Sequence, residues 1–377
     1  MISRLLELFL AYEEDANVKL VIVKYQTLLQ PCHFLNSIEQ FSLSLAPIFT
    51  NRGERKSICA GGDVAAVVRD INEGNWRLGA NFFRKEFTLN YLMATYSKPQ
   101  VSILNGIVMG GGAGVSIHGR FRVALRIRYV SHLNLILKLG KCLHSSVVFA
   151  MPETALGLFP DVGASYYLSR LPGFFGNACY IFGLHTCALK MRYVGLTGAR
   201  LDGAEMLTCG LATHFVPSTH PALKDKSAYH RMDVINKCFS RRTVEEIFSA
   251  LEAEAANGEN DWLLTTIQSL KKASPMSLKI SLRSIREGRL QGVGQCLVRE
   301  YRMVCHVMQG EVSKDFREGC RAILLDKDRN PKWEPSKLEL INDHMVEQYF
   351  SKLDDEEWEE LKLPARSKLP VTAIAKL

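Results

Sequence analysis

The sequence predicts an α/β fold: a layered core of sheet and helix up to about residue 220, then a mostly helical region over 221–377. Three observations carry this. Short β-branched apolar runs alternate with helical apolar periods in the first part. Glycine-rich turns stand between those runs and the helices that follow them. Beyond residue 221, periodic apolar positions alternate with charge, as in amphipathic helices.

Residues 2–13 place Leu5, Leu6, Phe9 and Tyr12 on one helical face, and Leu20–Val23 reads as a buried strand. A helix followed by a strand is the beginning of an α/β layer. The next helices are expected at 64–72 and 77–95, the second carrying Phe83, Phe87, Leu89, Leu92 and Met93 and stopped by Lys98-Pro99. Val101–Leu104 is a strand turned by Asn105-Gly106, and a helix opens at Gly110-Gly111-Gly112. Val147–Met151 is a short strand, and 156–174 is glycine-rich loop and helix. Helices are expected again around Val244–Leu251 and at 261–272, 276–287 and 293–309. The acidic cluster 354–360 reads as a solvated helix end.

Composition removes several classes. Of 377 residues, 47% are hydrophobic and 23% charged, which is ordinary globular usage and excludes a wholly disordered chain. There is no apolar run of membrane-spanning length and no secretory leader pattern. Ten cysteines without a C-x-x-C spacing point to reduced thiols, and no zinc-ligand spacing occurs, so no metal is expected. The net charge of +8 invites a nucleic-acid reading. However, most of the excess sits in three segments, about 25–57, 126–146 and 178–192, and the rest is nearly neutral. No nucleic acid and no membrane partner is expected.

Those segments do not fit their surroundings. The first lacks a regular period, the second is basic and rich in Leu and His, and the third is rich in Cys, Leu and aromatics. Structureless stretches of that length are uncommon inside a compact domain. They read as foreign insertions, from an alternative transcript or unspliced intron. Their histidines His132, His144 and His185 form no recognisable site.

Three motifs carry the chemistry. They are Cys59-Ala60-Gly61-Gly62-Asp63, then Met109-Gly110-Gly111-Gly112-Ala113-Gly114, and Met151-Pro152-Glu153 with Phe159-Pro160-Asp161-Val162-Gly163. Glycine turns before helices let backbone approach a ligand and aim free N–H groups at it. Two such turns can point two donors at one oxygen, the construction of an oxyanion hole. Neither has the Lys-Ser/Thr ending of a P-loop or a complete dinucleotide fingerprint. Tight turns for helix packing are the plainer alternative. Glu153 and Asp161 near a strand end can divide a nucleophile or base role from a substrate anchor. Against that stand a surface Glu153 and a helix-capping Asp161. His118 is expected to be a packed residue, and Cys59 a small buried one.

Taken together, these motifs resemble the crotonase (enoyl-CoA hydratase/isomerase) superfamily, closest to its branch of plant thioester hydrolases. The resemblance covers about residues 1–24, 58–125, 147–177 and 193–377. It implies a spiral of ββα units followed by the helical region, with a further strand and an Asn-rich turn ahead of residue 1. It places oxyanion donors at the Gly62 and Gly111 N–H groups. It places substrate contacts at Glu86, Gly111, Glu153 and Asp161. Hydratases of the superfamily carry an acid two residues after the glycine triplet, where this chain has Gly114. The hydrolase branch has the acid that corresponds to Asp161.

The resemblance therefore implies an enzyme that cleaves 3-hydroxyisobutyryl-CoA, or a related short 3-hydroxyacyl-CoA, to the hydroxy acid and CoA in valine catabolism. It implies no cofactor beyond the CoA carried by the substrate. Glu153 attacks the carbonyl or activates water, Asp161 anchors the hydroxyl or assists proton transfer, and Glu86 positions the acyl end. The alternatives are enoyl-CoA hydratase or isomerase activity, and an inactive acyl-CoA-binding variant. A homo-oligomer is compatible with the resemblance. The terminal Ala375-Lys376-Leu377 resembles a peroxisomal address, which implies the import receptor as a partner.

Overall fold

The computed structural model describes residues 1–24, 64–127, 145–170, 192–216, 223–258 and 261–366. The Cys59–Asp63 motif with Gly62 lies outside the described residues, as do 25–57, 178–191, the three histidines above and the terminal tripeptide.

Two sheets and the helices around them form the core. Helix α1 (Ile2–Glu14) buries Leu5 and Phe9. Strand β1 (Val21–Lys24) pairs in parallel with β2 (Gln100–Leu104), which pairs in parallel with β4 (Phe121–Ile127). Strand β8 (His214–Val216) adds to β4 in parallel, and β5 (Ser145–Ser146) meets its far end antiparallel. The smaller sheet joins β3 (Ile107–Met109) to β6 (Val148–Ala150) in parallel and β6 to β7 (Leu201–Asp202) antiparallel. The chain visits the large sheet, the small sheet and then a helix: β2, β3, α4 (Gly111–Ile117), and again β4, β6, α5 (Ala164–Tyr167). These are the expected ββα units. One expectation is adjusted: Arg126 and Ile127, placed in a foreign segment, continue β4.

Helix α2 (Val64–Asn72) precedes the nineteen-residue α3 (Trp76–Ala94), which buries Phe83 and Phe87 on one face and Leu89 on another. Glu86 and Asn90 share the first of these faces, one turn apart. Its other end packs on α1 and β1 through Leu92, Met93 and Tyr96, whose hydroxyl donates to the Phe9 carbonyl at 2.8 Å.

After α6 (Gly203–Thr208), the later part is helical as expected. It comprises α7 (Met232–Phe239), α8 (Val244–Ala256), α9 (Asp261–Lys272), α10 (Pro275–Gly288), α11 (Val293–Gln309), α12 (Asp315–Cys320) and α13 (Asp343–Phe350). Thr243, Ser274 and Asn342 cap α8, α10 and α13 with side-chain oxygens. Pro275 stands at the first position of α10, where it costs no hydrogen bond. Helix α11 lies along α3 and so joins the helical region to the core.

The acidic cluster 354–360 is not a solvated helix end. Helix α13 stops at Phe350, and the chain beyond runs as an irregular strap. Asp355 meets Arg77 of α3 at 2.6 Å, Glu360 pairs with Arg302 of α11, and Arg84 donates to the Glu359 carbonyl. Asp355 and Glu360 bind the strap down, while Asp354, Glu356, Glu357 and Glu359 stay exposed to solvent. No helix among the described residues is long and apolar enough to cross a membrane.

Candidate active site

A cavity of about 260 Å³ opens between α2, α3, the start of α4, the segment after β6, and α12. Its walls include Phe82, Phe83, Leu158, Phe316 and Leu324. The polar groups at its lining are Glu86, Gly111, Glu153 and Asp161. All four are the substrate contacts expected from sequence, and they come from four different segments of the chain. Gly62, the other expected donor, lies outside the described residues.

Each polar residue has a local reason for its place. Gly111 opens α4, so its N–H has no acceptor within the helix, and the residue lines the cavity. Glu153 opens a short 3-10 turn, Glu153–Leu156, directly after Pro152. That turn is held from both sides. The Thr154 hydroxyl donates to the Leu196 carbonyl, and the Ser274 N–H donates to the Thr154 carbonyl. Ser274 Oγ in turn donates to Asp315 Oδ2 at 2.5 Å. Gly157 ends the turn at φ +74°, and a Cβ there would sit 2.2 Å from the backbone of Asp315. Only glycine meets both demands.

Asp161 begins a second turn. Val162 adopts φ +55° and Gly163 φ +82° before α5 begins. Glu300 of α11, fully buried, accepts from the Gly163 and Ser165 N–H groups at 2.7 and 3.0 Å and from Ser165 Oγ at 2.6 Å. His118 is packed, as expected. Its Nε2–H donates to the Val162 carbonyl at 2.8 Å, and burial lowers its pKa to about 4. Neither plainer alternative for the two acids holds: Glu153 is only 4% exposed, and α5 has Gly163, not Asp161, at its N-cap and no side-chain capping bond.

Burial in one mostly apolar cavity pushes three carboxyls toward the neutral form. Burial raises Glu86 to about 7 and Glu153 to about 8. Asp161 is raised well above the ordinary carboxylate range, by burial first and then by Glu153, Glu86 and Glu300. Glu153 Oε2 is buried without a hydrogen-bond partner among the described residues. An unpaired acceptor in a low-dielectric cavity is costly to keep unless something fills the cavity. The arrangement offers an amide donor for a developing oxyanion, a strongly basic carboxylate once ionised, and a second acid beside it.

Glu300 escaped the sequence reading. It had a signal: it lies three residues after Leu297 and four before Val304, an acid on the apolar stripe of a helix. The walls Phe316, Ile323 and Leu324 were missed as well. The last two belong to a π-helical turn, Arg321–Leu325, that no periodicity announces.

Comparison with known proteins agrees with this geometry. The enoyl-CoA hydratase/isomerase family model matches residues 40–129, 142–228 and 219–350. The chain is 59% identical to 3-hydroxyisobutyryl-CoA hydrolase 1 of Arabidopsis thaliana, over 100% of this chain and 90% of that protein. It is 36% identical to the human mitochondrial 3-hydroxyisobutyryl-CoA hydrolase, over 79% of this chain and 75% of that one. The crystal structure of a carnitinyl-CoA dehydratase from Mycobacterium thermoresistibile superposes with a TM-score of 0.70 at 27% identity, covering 97% of this chain and 91% of that one.

Proposed function

The chain belongs to the enoyl-CoA hydratase/isomerase family, and from that premise we propose that it hydrolyses 3-hydroxyisobutyryl-CoA to 3-hydroxyisobutyrate and CoA. The observation that carries the reading is the pairing of Glu153 and Asp161 in one buried cavity beside Gly111 and Glu86. Gly114 offers no carboxyl for adding water across a double bond, which disfavours hydration.

The thioester oxygen lies at the Gly111 N–H, with Gly62 as the second donor. The Glu153 carboxylate removes a proton from water as the water oxygen bonds to the carbonyl carbon. The tetrahedral oxyanion collapses, the C–S bond breaks, and the CoA thiolate takes the proton back from Glu153. In the other route Glu153 bonds to the carbonyl carbon itself, and water then cleaves the mixed anhydride. Both consume one water and release one thiol. Hydroxylamine added during turnover separates them, because only an accumulating anhydride is trapped on Glu153. Asp161, its pKa raised by burial and then by the neighbouring acids, donates to or accepts from the 3-hydroxyl, and Glu86 borders the acyl end.

The test is thiol release by the purified protein from 3-hydroxyisobutyryl-CoA, with E153Q alongside. Loss of a general base or nucleophile costs about 10²–10⁴ in rate, so E153Q should fall at least that far while still binding substrate. Near-normal turnover by E153Q refutes the mechanism. Because Glu153 titrates near 8, kcat/KM should climb across pH 7–8 as its carboxylate forms. We further propose a place in valine breakdown, on the resemblance to the 3-hydroxyisobutyryl-CoA hydrolases, and in the peroxisome, on the strength of Ala375-Lys376-Leu377. A fluorescent protein bearing the last residues of the chain should become punctate, and lose that pattern when Leu377 is deleted.

A further inference from the structure

Val162 is a β-branched, fully buried residue at φ +55°, a strained conformation that persists only where neighbours enforce it. Three of them do. His118 holds its carbonyl, and Glu300 holds the amides of Gly163 and Ser165 on the next turn. The third is a missing side chain. A Cβ on Gly114 of α4 would lie 2.9 Å from Val162 Cβ, 3.0 Å from Val162 Cγ1 and 2.9 Å from Asn90 Nδ2. The Asn90 amide is the end of a flexible side chain that no hydrogen bond holds among the described residues. Val162 Cβ is fixed to a backbone pinned on both sides. A methyl at position 114 must therefore push the turn that carries Asp161, or push α4, which carries Gly111.

We infer that Gly114 is a positioning residue. The absence of a side chain there lets Val162 seat in its left-handed turn against α4, which keeps the Asp161 carboxyl in the cavity at a fixed distance from Gly111. This rests on the hydrolase reading for its functional meaning, but the contact itself does not.

The experiment is a double-mutant cycle with wild type, G114A, V162G and G114A/V162G. Removing the Val162 side chain makes room for the methyl at 114 and suits the left-handed turn. Each protein is assayed for kcat and KM with 3-hydroxyisobutyryl-CoA and for its thermal midpoint. A displacement of about 1 Å costs on the order of a hundredfold in rate, so G114A should lose about that in kcat with little change in KM. The double variant should recover about tenfold or more of it, a departure from additivity expected only of residues in contact. The thermal midpoints should show the same non-additivity. A G114A chain that folds only once V162G is added also supports the inference. Losses that simply multiply, a G114A enzyme within about threefold of wild type, or a double variant no better folded than G114A would overturn it. Absence of turnover in the wild type would refute the hydrolase reading instead, and the thermal cycle would still decide the contact.

Discussion

The layered core and the helical region contribute to the site in different ways. The core supplies the groups that would touch substrate: Glu86, Gly111, Glu153 and Asp161. The helical region supplies no polar group to the cavity wall among the described residues, but it holds those of the core in place. Glu300 grips the turn after Asp161, and Ser274 and Asp315 grip the turn after Glu153. It also closes the cavity with Phe316, Ile323 and Leu324. The chemistry is thus local to one region, while its precision depends on the other. That division makes the junctions between them the places where substitution should hurt most.

The sharpest break is at Gly157. Alanine there meets the Asp315 backbone at 2.2 Å and must also adopt a positive φ. A left-handed alanine costs about 1–2 kcal/mol and an overpacked contact about 1–3 kcal/mol. G157A should therefore lose about 2–5 kcal/mol in a denaturant titration, together with activity, since Glu153 opens the same turn. A loss below about 1 kcal/mol would mean that the junction yields easily.

This difference between the regions also decided what was legible in the sequence. The core's apolar runs and glycine turns are local signals, and they located β1, β2, β6 and the helices α1, α2 and α3 to within a residue or two, whereas β3, β4, β5, β7, β8 and α6 went unannounced. The expected helix at 77–95 is observed at Trp76–Ala94, and the expected strand at 101–104 at Gln100–Leu104. Glu86, Glu153 and Asp161 were placed through the resemblance, because spacing alone left both plainer readings of the two later acids open. Long-range demands were not legible. Nothing in Phe159–Gly163 announces that a valine takes a left-handed conformation, because that is imposed by His118 and Glu300 from 44 and 137 residues away. Likewise the acidic run at 354–360 looked solvated because its partners, Arg77 and Arg302, lie far off in sequence.

The next expected effect is at Glu300. Glutamine keeps the shape but turns one acceptor into a donor facing the Gly163 or Ser165 N–H. Hydrogen bonds to a charged acceptor are worth about 1.5–3 kcal/mol, so E300Q should destabilise by that order and lower kcat more than KM. Unchanged kcat in a folded E300Q protein would confine the helical region to structural support.

A smaller effect separates the regions by pH. Glu86 and Glu153 titrate near 7 and 8 in the folded chain, against about 4.3 when unfolded. Between those limits the folded state binds more protons than the unfolded one. Stability from these groups is therefore present at low pH and lost as pH rises toward 8. E153Q removes one such cost. Its thermal midpoint should match wild type below about pH 4, exceed it increasingly as pH rises toward 8, and level off beyond. E347Q in the helical region has the opposite sign. Glu347 is lowered by Arg283, so its contribution is gained above the unfolded pKa and lost in acid. Parallel pH curves for wild type and E153Q would mean that Glu153 is not held neutral in the fold.

The smallest effect should come from the strap, where the regions meet at the surface. Arg77 is about half exposed and pairs with Asp355 at 2.6 Å and with the exposed Glu357 at 3.4 Å. Exposed pairs contribute about 0–1 kcal/mol and are screened by salt. Arg366 differs: it grips Glu13 with two hydrogen bonds, at 2.8 and 2.6 Å, and donates to the Thr95 carbonyl, with both side chains mostly covered. That pairing also lowers the Glu13 pKa against the opposing effect of burial. R77A should then shift the denaturation midpoint barely, and not at all in high salt, whereas R366A should shift it more and keep most of the shift in salt. Equal, salt-sensitive losses would show that the strap is held by charge alone; the contrast expected here makes the covered, bidentate contact the one that fastens the end of the helical region to α1 and α3.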